Sequence, residues 1–403
     1  MPRTLPPSGS PVTAGDLAAW LGSLARRKDP RPALEAAICR HFDVDHCLSF
    51  STGRAAMSFL FRTLAELRQD PRRCEILMPA YTCYSVASSA LMAGLEPRLC
   101  DIDPRTLSYD PETLRGVDFS RVLAITTANL YGLPDDLPAI ASLARKQGVY
   151  LVDDAAQSLQ ARVGGRYSGT WGDAGLFSLD KGKNITAMQG GLLVTRNPQL
   201  GAALRKSYAA RVRRNRDHAL RETLMLLVYS LFLHPSRYWI PAGLPFLHLG
   251  ETRWEENYPI EQMSPALAAI ARRQLARIET ITQTRQEHAT AYRRRLEGLK
   301  DIACIEPVRD AEPVYLRFPV RVRNAKRREY LLAHLRRYGV TASYPACLAQ
   351  VPELEGRAHR AGSGTEQACR LAQEILTLPT HAHVRTADIE HICHTLAGPG
   401  QAA

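Results

Sequence analysis

The sequence predicts an α/β protein: a mainly parallel sheet covered on both faces by helices, followed by a smaller C-terminal α+β unit. Three observations predict it. Apolar runs of strand length alternate with helical patterns between Glu75 and Thr195, and the chain changes character after Asn197. Its 403 residues also exceed what a single core usually organises.

Residues 10–67 alternate helical patterns with one short apolar segment, and Ser51-Thr52-Gly53-Arg54-Ala55-Ala56 opens an apolar helix reaching about Leu67. A glycine turn feeding a helix N-terminus is a natural anion site, because unpaired N–H groups and the helix dipole point outward there. Six strands are expected next, at Glu75–Met78, Pro97–Ile102, Val122–Thr127, Val149–Asp153, Ala174–Leu179 and Gly191–Thr195, with helical patterns such as Ser85–Ala93 and Leu137–Gln147 between them. Ligands of such sheets sit at the carboxyl ends of the strands. The Gly164-Gly165…Gly169 cluster reads as a hairpin turn, since no βαβ strand precedes it directly.

Beyond Asn197 an Arg-rich helical segment, Lys206–Arg221, leads into Thr223–Ser236, a run without Asp, Glu, Lys or Arg. At well under the ~20 residues that span a bilayer, this run reads as a buried or interfacial helix. Trp239–Gly250 reads as a wrapping loop, and Met263 to about Leu299 as one long helix with a stripe through Leu267, Ile270, Leu275, Ile278 and Ile281. A strand at Val314–Val322 and helices at Ala325–Tyr338, Glu366–Leu376 and Thr386–Leu396 complete the pattern. The expected division is a large unit over 1–250 and a smaller one over 251–403.

Composition excludes several classes. With 45% hydrophobic and 23% charged residues the chain is neither disordered, fibrous nor transmembrane in type. Its net charge of +12 suits nucleic acid, an anionic membrane surface or a phosphorylated small molecule, and does not choose among them. Nine scattered cysteines with no Cys-x-x-Cys fit reduced thiols, and no secretory signal is readable at the start, so a cytoplasmic protein is expected. No metal is expected: the spacings of His381, His383, His391, Cys393 and His394 match no standard zinc pattern.

Three strand-end features stand together in one half of the chain. Leu151-Val152-Asp153-Asp154 is an apolar strand ending in two carboxylates; Phe177-Ser178-Leu179-Asp180-Lys181-Gly182-Lys183 ends in a hydroxyl and two lysines; the third is the Gly53 turn. Pyridoxal 5'-phosphate (PLP) chemistry needs these groups in one pocket. A lysine forms the Schiff base, a carboxylate keeps the pyridine nitrogen protonated, and N–H groups and hydroxyls take the phosphate. Taken singly, Lys183 reads as a solvated lysine, and Asp154 or Asp153 as a helix cap. Lys181 rivals Lys183, because on an extended segment both would share a face.

These residues resemble the DegT/DnrJ/StrS-type sugar aminotransferase family of fold type I PLP enzymes. The resemblance runs through Ile76-Leu77-Met78-Pro79-Ala80-Tyr81-Thr82, Ala93-Gly94-Leu95-Glu96-Pro97, Asn129-Leu130-Tyr131-Gly132, Asp154-Ala155-Ala156-Gln157, Phe177 to Gly191, and Leu376-Thr377-Leu378-Pro379. It implies a seven-stranded sheet, with Lys183 as the Schiff-base lysine and Asp154 on the pyridine nitrogen. Gln157 would meet the ring hydroxyl, and Ser178, Gly53 and Arg54 the phosphate. Tyr84, in preference to Cys83, would stack on the ring, and Asn257 would reach the phosphate of a neighbouring subunit. Three departures mark the substrate side: Asn257-Tyr258-Pro259 lacks the Arg of an Asn-x-Arg motif, Tyr344-Pro345-Ala346-Cys347 replaces a His-bearing loop, and Gln189 replaces an acid.

The activity the resemblance implies is transfer of an amino group from glutamate to a nucleotide-linked keto sugar, by a homodimer that binds no nucleic acid. Rival readings are a PLP enzyme on a non-sugar or lipid-linked ketone, the latter served by membrane contact through residues 223–236, and a non-catalytic PLP-binding regulator using the basic Arg205–Arg216 face. A sugar dehydratase is disfavoured, since dehydratase relatives replace the lysine.

Overall fold

The computed structural model describes residues 3–25, 29–214, 219–244, 254–362 and 364–398. Two helices, α1 (Ala14–Ala25) and α2 (Arg31–Phe42), precede the first strand, β1 (His46–Phe50). Then come α3 (Gly53–Arg68), β2 (Glu75–Pro79), α4 (Tyr84–Met92), β3 (Glu96–Cys100), α5 (Pro111–Arg115), β4 (Val122–Thr126), α6 (Leu137–Gln147) and β5 (Tyr150–Asp154). A hairpin of β6 (Arg162–Val163) and β7 (Arg166–Tyr167) turns at the Gly164-Gly165 pair, as read from the sequence, before β8 (Ala174–Ser178) and β9 (Gly191–Thr195).

These strands form a sheet in the order β1-β9-β8-β5-β4-β2-β3 with one more strand at the edge. The neighbours from β8 to β3 are parallel, and β9 runs antiparallel to both β1 and β8. Every residue of β2, β4, β8 and β9 is buried, which is why the strands read as unbroken apolar runs: helices cover both faces. Local signals place the helices. Asp136 caps α6 through the N–H of Ala139, Pro138 sits in its first turn, and Gly148 closes it at φ 60°.

After β9 come α7 (Pro198–Arg211), α8 (Ala219–Phe232), the single turn α9 (Trp239–Ala242), α10 (Pro265–Leu275) and α11 (Ile278–Leu296). The remainder is β10 (Ile302–Cys304), β11 (Ala311–Glu312), β12 (Arg317–Val322), α12 (Ala325–Leu335), β13 (His359–Arg360), α13 (Glu366–Glu374), β14 (Ile375–Pro379) and α14 (Thr386–Ala397). The three-stranded sheet β10-β12-β14 and helices α11, α12 and α14 enclose their own core around Tyr292, Phe318, Val320, Leu331, Leu376 and Ile392.

Several expectations are corrected. The large sheet has eight strands, not seven: β13 pairs in parallel with Arg98 and Leu99, and two residues are too short to leave a pattern. It also carries a piece of 251–403 into the large unit, as does α10, which packs among Trp20, Leu34 and Ile38. The helix expected over Met263–Leu299 breaks at Ala276-Arg277; α10 and the first turns of α11, through Ile278 and Ile281, pack in the large unit, and α11 enters the C-terminal core with Ala289, Tyr292 and Leu296. Leu376 lies on β14 rather than at a helix end. Cys347 and Cys369 are joined in a disulfide, against the expectation of nine thiols; the pair is 22 residues apart, and folding brings α13 to the loop at Cys347. The turn Trp239–Ala242 replaces the start of the expected loop, whose residues 245–250 lie outside the described residues.

The run at Thr223–Ser236 is helical as far as Phe232, yet Leu224, Leu227, Val228 and Leu231 are 46–62% exposed. No described helix is long and apolar enough to cross a membrane. Among the described residues only Glu75, Glu96 and His359 bring three metal-capable atoms together, and Arg98 and Arg121 already pair with both glutamates.

Candidate active site

The carboxyl ends of β2, β4, β5 and β8 share one edge of the sheet, and β1 runs the same way. A cavity of about 410 Å³ opens there. Its wall contains Thr52, Gly53 and Arg54 after β1, Thr82 and Cys83 after β2, Asp154 and Gln157 after β5, and Ser178 and Lys183 after β8.

The two carboxylates at the end of β5 have different work. Asp153 is fully buried and turns inward: Oδ2 accepts from the N–H groups of Gly169 and Trp171 at 2.7 and 3.2 Å, and Oδ1 from Thr127 and Asn129 at 3.2 and 2.9 Å. It is a structural clasp. Asp154, alternating to the opposite face, lines the cavity; its Oδ1 accepts from the N–H of Ala156 at 2.9 Å, and Oδ2 has no partner among the described residues. Burial raises its carboxyl to about 7, against the lowering effects of that N–H and of the Lys183 charge. No helix begins at Ala155, so neither aspartate is a helix cap.

Asn129, buried and in the left-handed region at φ 43°, donates to Thr127, to Asp153 and to the carbonyl of Asp154 at 2.8–2.9 Å. It fixes the end of β5. The sequence flagged its motif without a role for it.

Opposite Asp154, the sixteen-residue α3 begins. Thr52 caps the N–H of Ala55, which leaves the first two amides, of Gly53 and Arg54, outside the helix ladder. A Cβ on Gly53 would stand 3.5 Å from Ser178 Oγ, so hydroxyl and amides form one cradle. Gly191 makes this approach possible: a Cβ there would meet Thr52 O at 2.4 Å and Gly53 N at 2.7 Å. The Arg54 guanidinium pairs with Glu255 at 2.5 Å and lies over the Tyr258 ring, so the cradle's contribution from this residue is its backbone N–H.

The lysine segment is a turn, not an extended strand. Gly182 at φ 80° reverses the chain; Lys181 is exposed, while Lys183 is half-buried and lines the cavity. Ser10 holds the turn by donating to the carbonyls of Lys183 and Asn184, and Asn184 Nδ2 donates to Leu159 O at 2.7 Å. An N-terminal strap over the lysine loop has no periodic signal, so sequence reading missed it.

Gln157 accepts from the Tyr131 N–H at 3.1 Å and donates to the Tyr344 hydroxyl at 3.0 Å. The Tyr84 ring is buried toward Tyr344, and Thr82 and Cys83 stand in the cavity wall. Asn257 is exposed and is absent from the wall of this cavity. An adjoining cavity of about 350 Å³ shares Thr52, Arg54 and Gln189 and extends to Arg221, Glu222 and Met225 of α8.

The donor set fits a phosphorylated pyridine: a buried aspartate with one carboxylate oxygen unpartnered among the described residues, free helix amides with a hydroxyl, and a primary amine, all in one cavity.

Residues 25–397 match the model of the DegT/DnrJ/EryC1/StrS aminotransferase family. The chain is 32% identical over 174 residues to the UDP-N-acetyl-3-dehydro-alpha-D-glucosamine 3-aminotransferase of Acidithiobacillus ferrooxidans; that match spans 43% of this chain and under half, 46%, of the relative's length. It is 26% identical over 353 residues to the dTDP-3-amino-3,4,6-trideoxy-alpha-D-glucose transaminase of Streptomyces venezuelae, covering 87% and 82% of the two chains. In fold it matches Helicobacter pylori PseC, an aminotransferase involved in the biosynthesis of pseudoaminic acid, with TM-score 0.79, 18% identity and 98% of each chain covered.

Proposed function

This chain belongs to the DegT/DnrJ/EryC1/StrS aminotransferase family, whose enzymes are PLP-dependent, and from that premise we propose that it transfers an amino group from glutamate to a nucleotide-linked keto sugar. The observation that carries this reading is the shared cavity. Lys183 and Asp154 line it together, and the free amides of α3 with Ser178 stand across from them.

Each residue has a proposed task. Lys183 would hold the cofactor covalently, Asp154 the proton on the ring nitrogen, and Gly53, Arg54 N–H and Ser178 the phosphate; Gln157 would meet the ring hydroxyl. When bound, PLP supplies an electron sink for negative charge at the carbon bearing the amine. A carboxylate desolvated enough to sit near 7 gains most from a cationic neighbour, which suits Asp154 to that proton. Lys183 Nζ is the group placed to carry a proton to and from the reacting carbon, as general base and acid. The adjoining cavity offers room for a nucleotide-linked acceptor, with Arg221 in its wall; Arg54 there is paired with Glu255, and Glu222 and Glu261 also line it. Names of the relatives support that substrate class.

We also place the chain in a cytoplasmic homodimer, where the exposed Asn257 would complete the neighbouring subunit's phosphate site. The division at residue 250 stays a working boundary, blurred by α10 and β13. The test is spectroscopic. Purified protein should carry a visible PLP band that shifts when glutamate is added, and Lys183→Ala should abolish transfer; an unshifted band with full activity in that variant would refute the assignment.

A further inference from the structure

Beside the cofactor cavity lies a smaller one, of about 110 Å³, entered from Lys183 and Gln157. Ser8, Tyr131, Lys181, Arg317, Ser343 and Tyr344 complete most of its wall. Three cationic side chains face it, and no acidic residue does.

Arg317 is the deepest of the three. It stands at the start of β12, reaching from the C-terminal unit toward the lysine loop of the large one. Its Nη1 donates to Thr341 Oγ1 at 3.1 Å and Thr377 Oγ1 at 3.5 Å, and its Nη2 to Ser8 Oγ at 3.2 Å. All these partners are neutral. Among the described residues no carboxylate pairs with Arg317, although the similarly placed Arg321, four residues along the strand, has Glu374 at 2.7 Å. A guanidinium withdrawn from water without a counter-ion is costly, and hydroxyl partners satisfy its N–H groups without neutralising its charge.

We propose that Arg317 receives the α-carboxylate of the amino donor in this small cavity. The proposal rests on the aminotransferase reading and adds a recognition residue to it. Size and position select the ligand. A sugar nucleotide's diphosphate needs more room than this space offers, and the cofactor phosphate has its own cradle at α3. An α-carboxylate is one bond from the carbon that bears the amine, so its receptor must stand next to the group that moves that carbon's proton. Arg317 shares the cavity wall with Lys183, and a planar guanidinium takes a carboxylate through two parallel N–H donors.

The experiment compares donors in the wild-type enzyme and in Arg317→Gln and Arg317→Lys, following both the PLP band and amino transfer. Wild type should use glutamate and reject its α-amide, isoglutamine. Arg317→Gln should keep the band, raise KM for glutamate roughly a hundredfold, and lose the discrimination between the two donors. The reverse half-reaction from an amino sugar should be little changed, because that substrate has no α-carboxylate, and Arg317→Lys should restore part of the glutamate affinity. A glutamate KM within twofold of wild type in Arg317→Gln overturns the proposal. So does a wild-type enzyme that accepts isoglutamine as readily as glutamate, an arm that stands even where the Gln variant fails to fold. No response of the wild type to glutamate would instead sink the aminotransferase reading, and this proposal with it.

Discussion

At the scale of single residues, adjacent aspartates separate fold from chemistry. Asp153 is saturated by four donors in a dry setting, so Asp153→Ala should cost about 3 kcal/mol of stability or more, measured by urea unfolding, because it orphans buried N–H groups. Asp154 behaves in the opposite way. Its carboxyl, ordinarily near 3.8, sits at about 7 in the folded apoprotein, so the fold favours the protonated form. That contribution is fully present below about pH 4 and is lost as pH rises through 7. At pH 8 the unmodified apoprotein therefore carries a penalty on the order of 4 kcal/mol, which Asp154→Asn removes. The variant should be more stable than wild type at pH 8 and nearly equal at pH 4, while its transfer activity falls on the order of a hundredfold or more. Gly191→Ala tests the cradle: its Cβ would collide with Thr52 O, so phosphate binding should weaken even where the fold survives.

At the scale of elements, legibility in the sequence followed burial. Strands β2, β4, β5, β8 and β9 could be read because a sheet covered on both faces demands continuous apolar runs. Asp154, Ser178 and Lys183 could be found because they follow such runs directly. Features that depend on distant contacts could not be read. The two-residue β13 has no period to detect, the apolar stripe runs on unbroken across the gap between α10 and α11 because Ile278 and Ile281 join the same core as α10, and Cys347 meets Cys369 only once the chain has folded. Tyr84 and Cys83 are adjacent, and only the start of α4 decides which of them faces the cavity. Helix α8 makes its own prediction. Leu227 and Leu231 are 47% and 48% exposed on one face, so Leu227→Glu with Leu231→Glu should leave the melting temperature of the isolated subunit within a few degrees of wild type. A large drop would mean that the face is buried within the subunit.

At the scale of the whole molecule, the site draws on every part of the chain: the N-terminal strap at Ser8 and Ser10, the sheet ends, and the C-terminal strand bearing Arg317. The proposed homodimer adds Asn257 from a second copy. Inactive Lys183→Ala subunits combined with Asn257→Ala subunits should regain about a quarter of wild-type activity, since half the dimers would be mixed and each would hold one complete site. No gain would confine Asn257 to a role in its own subunit. The account as a whole depends on which amine holds the cofactor. Borohydride reduction of the PLP-loaded protein, followed by digestion and mass analysis, should place the pyridoxyl adduct on Lys183. An adduct on Lys181, or none on the 178–191 segment, would contradict the account at its centre.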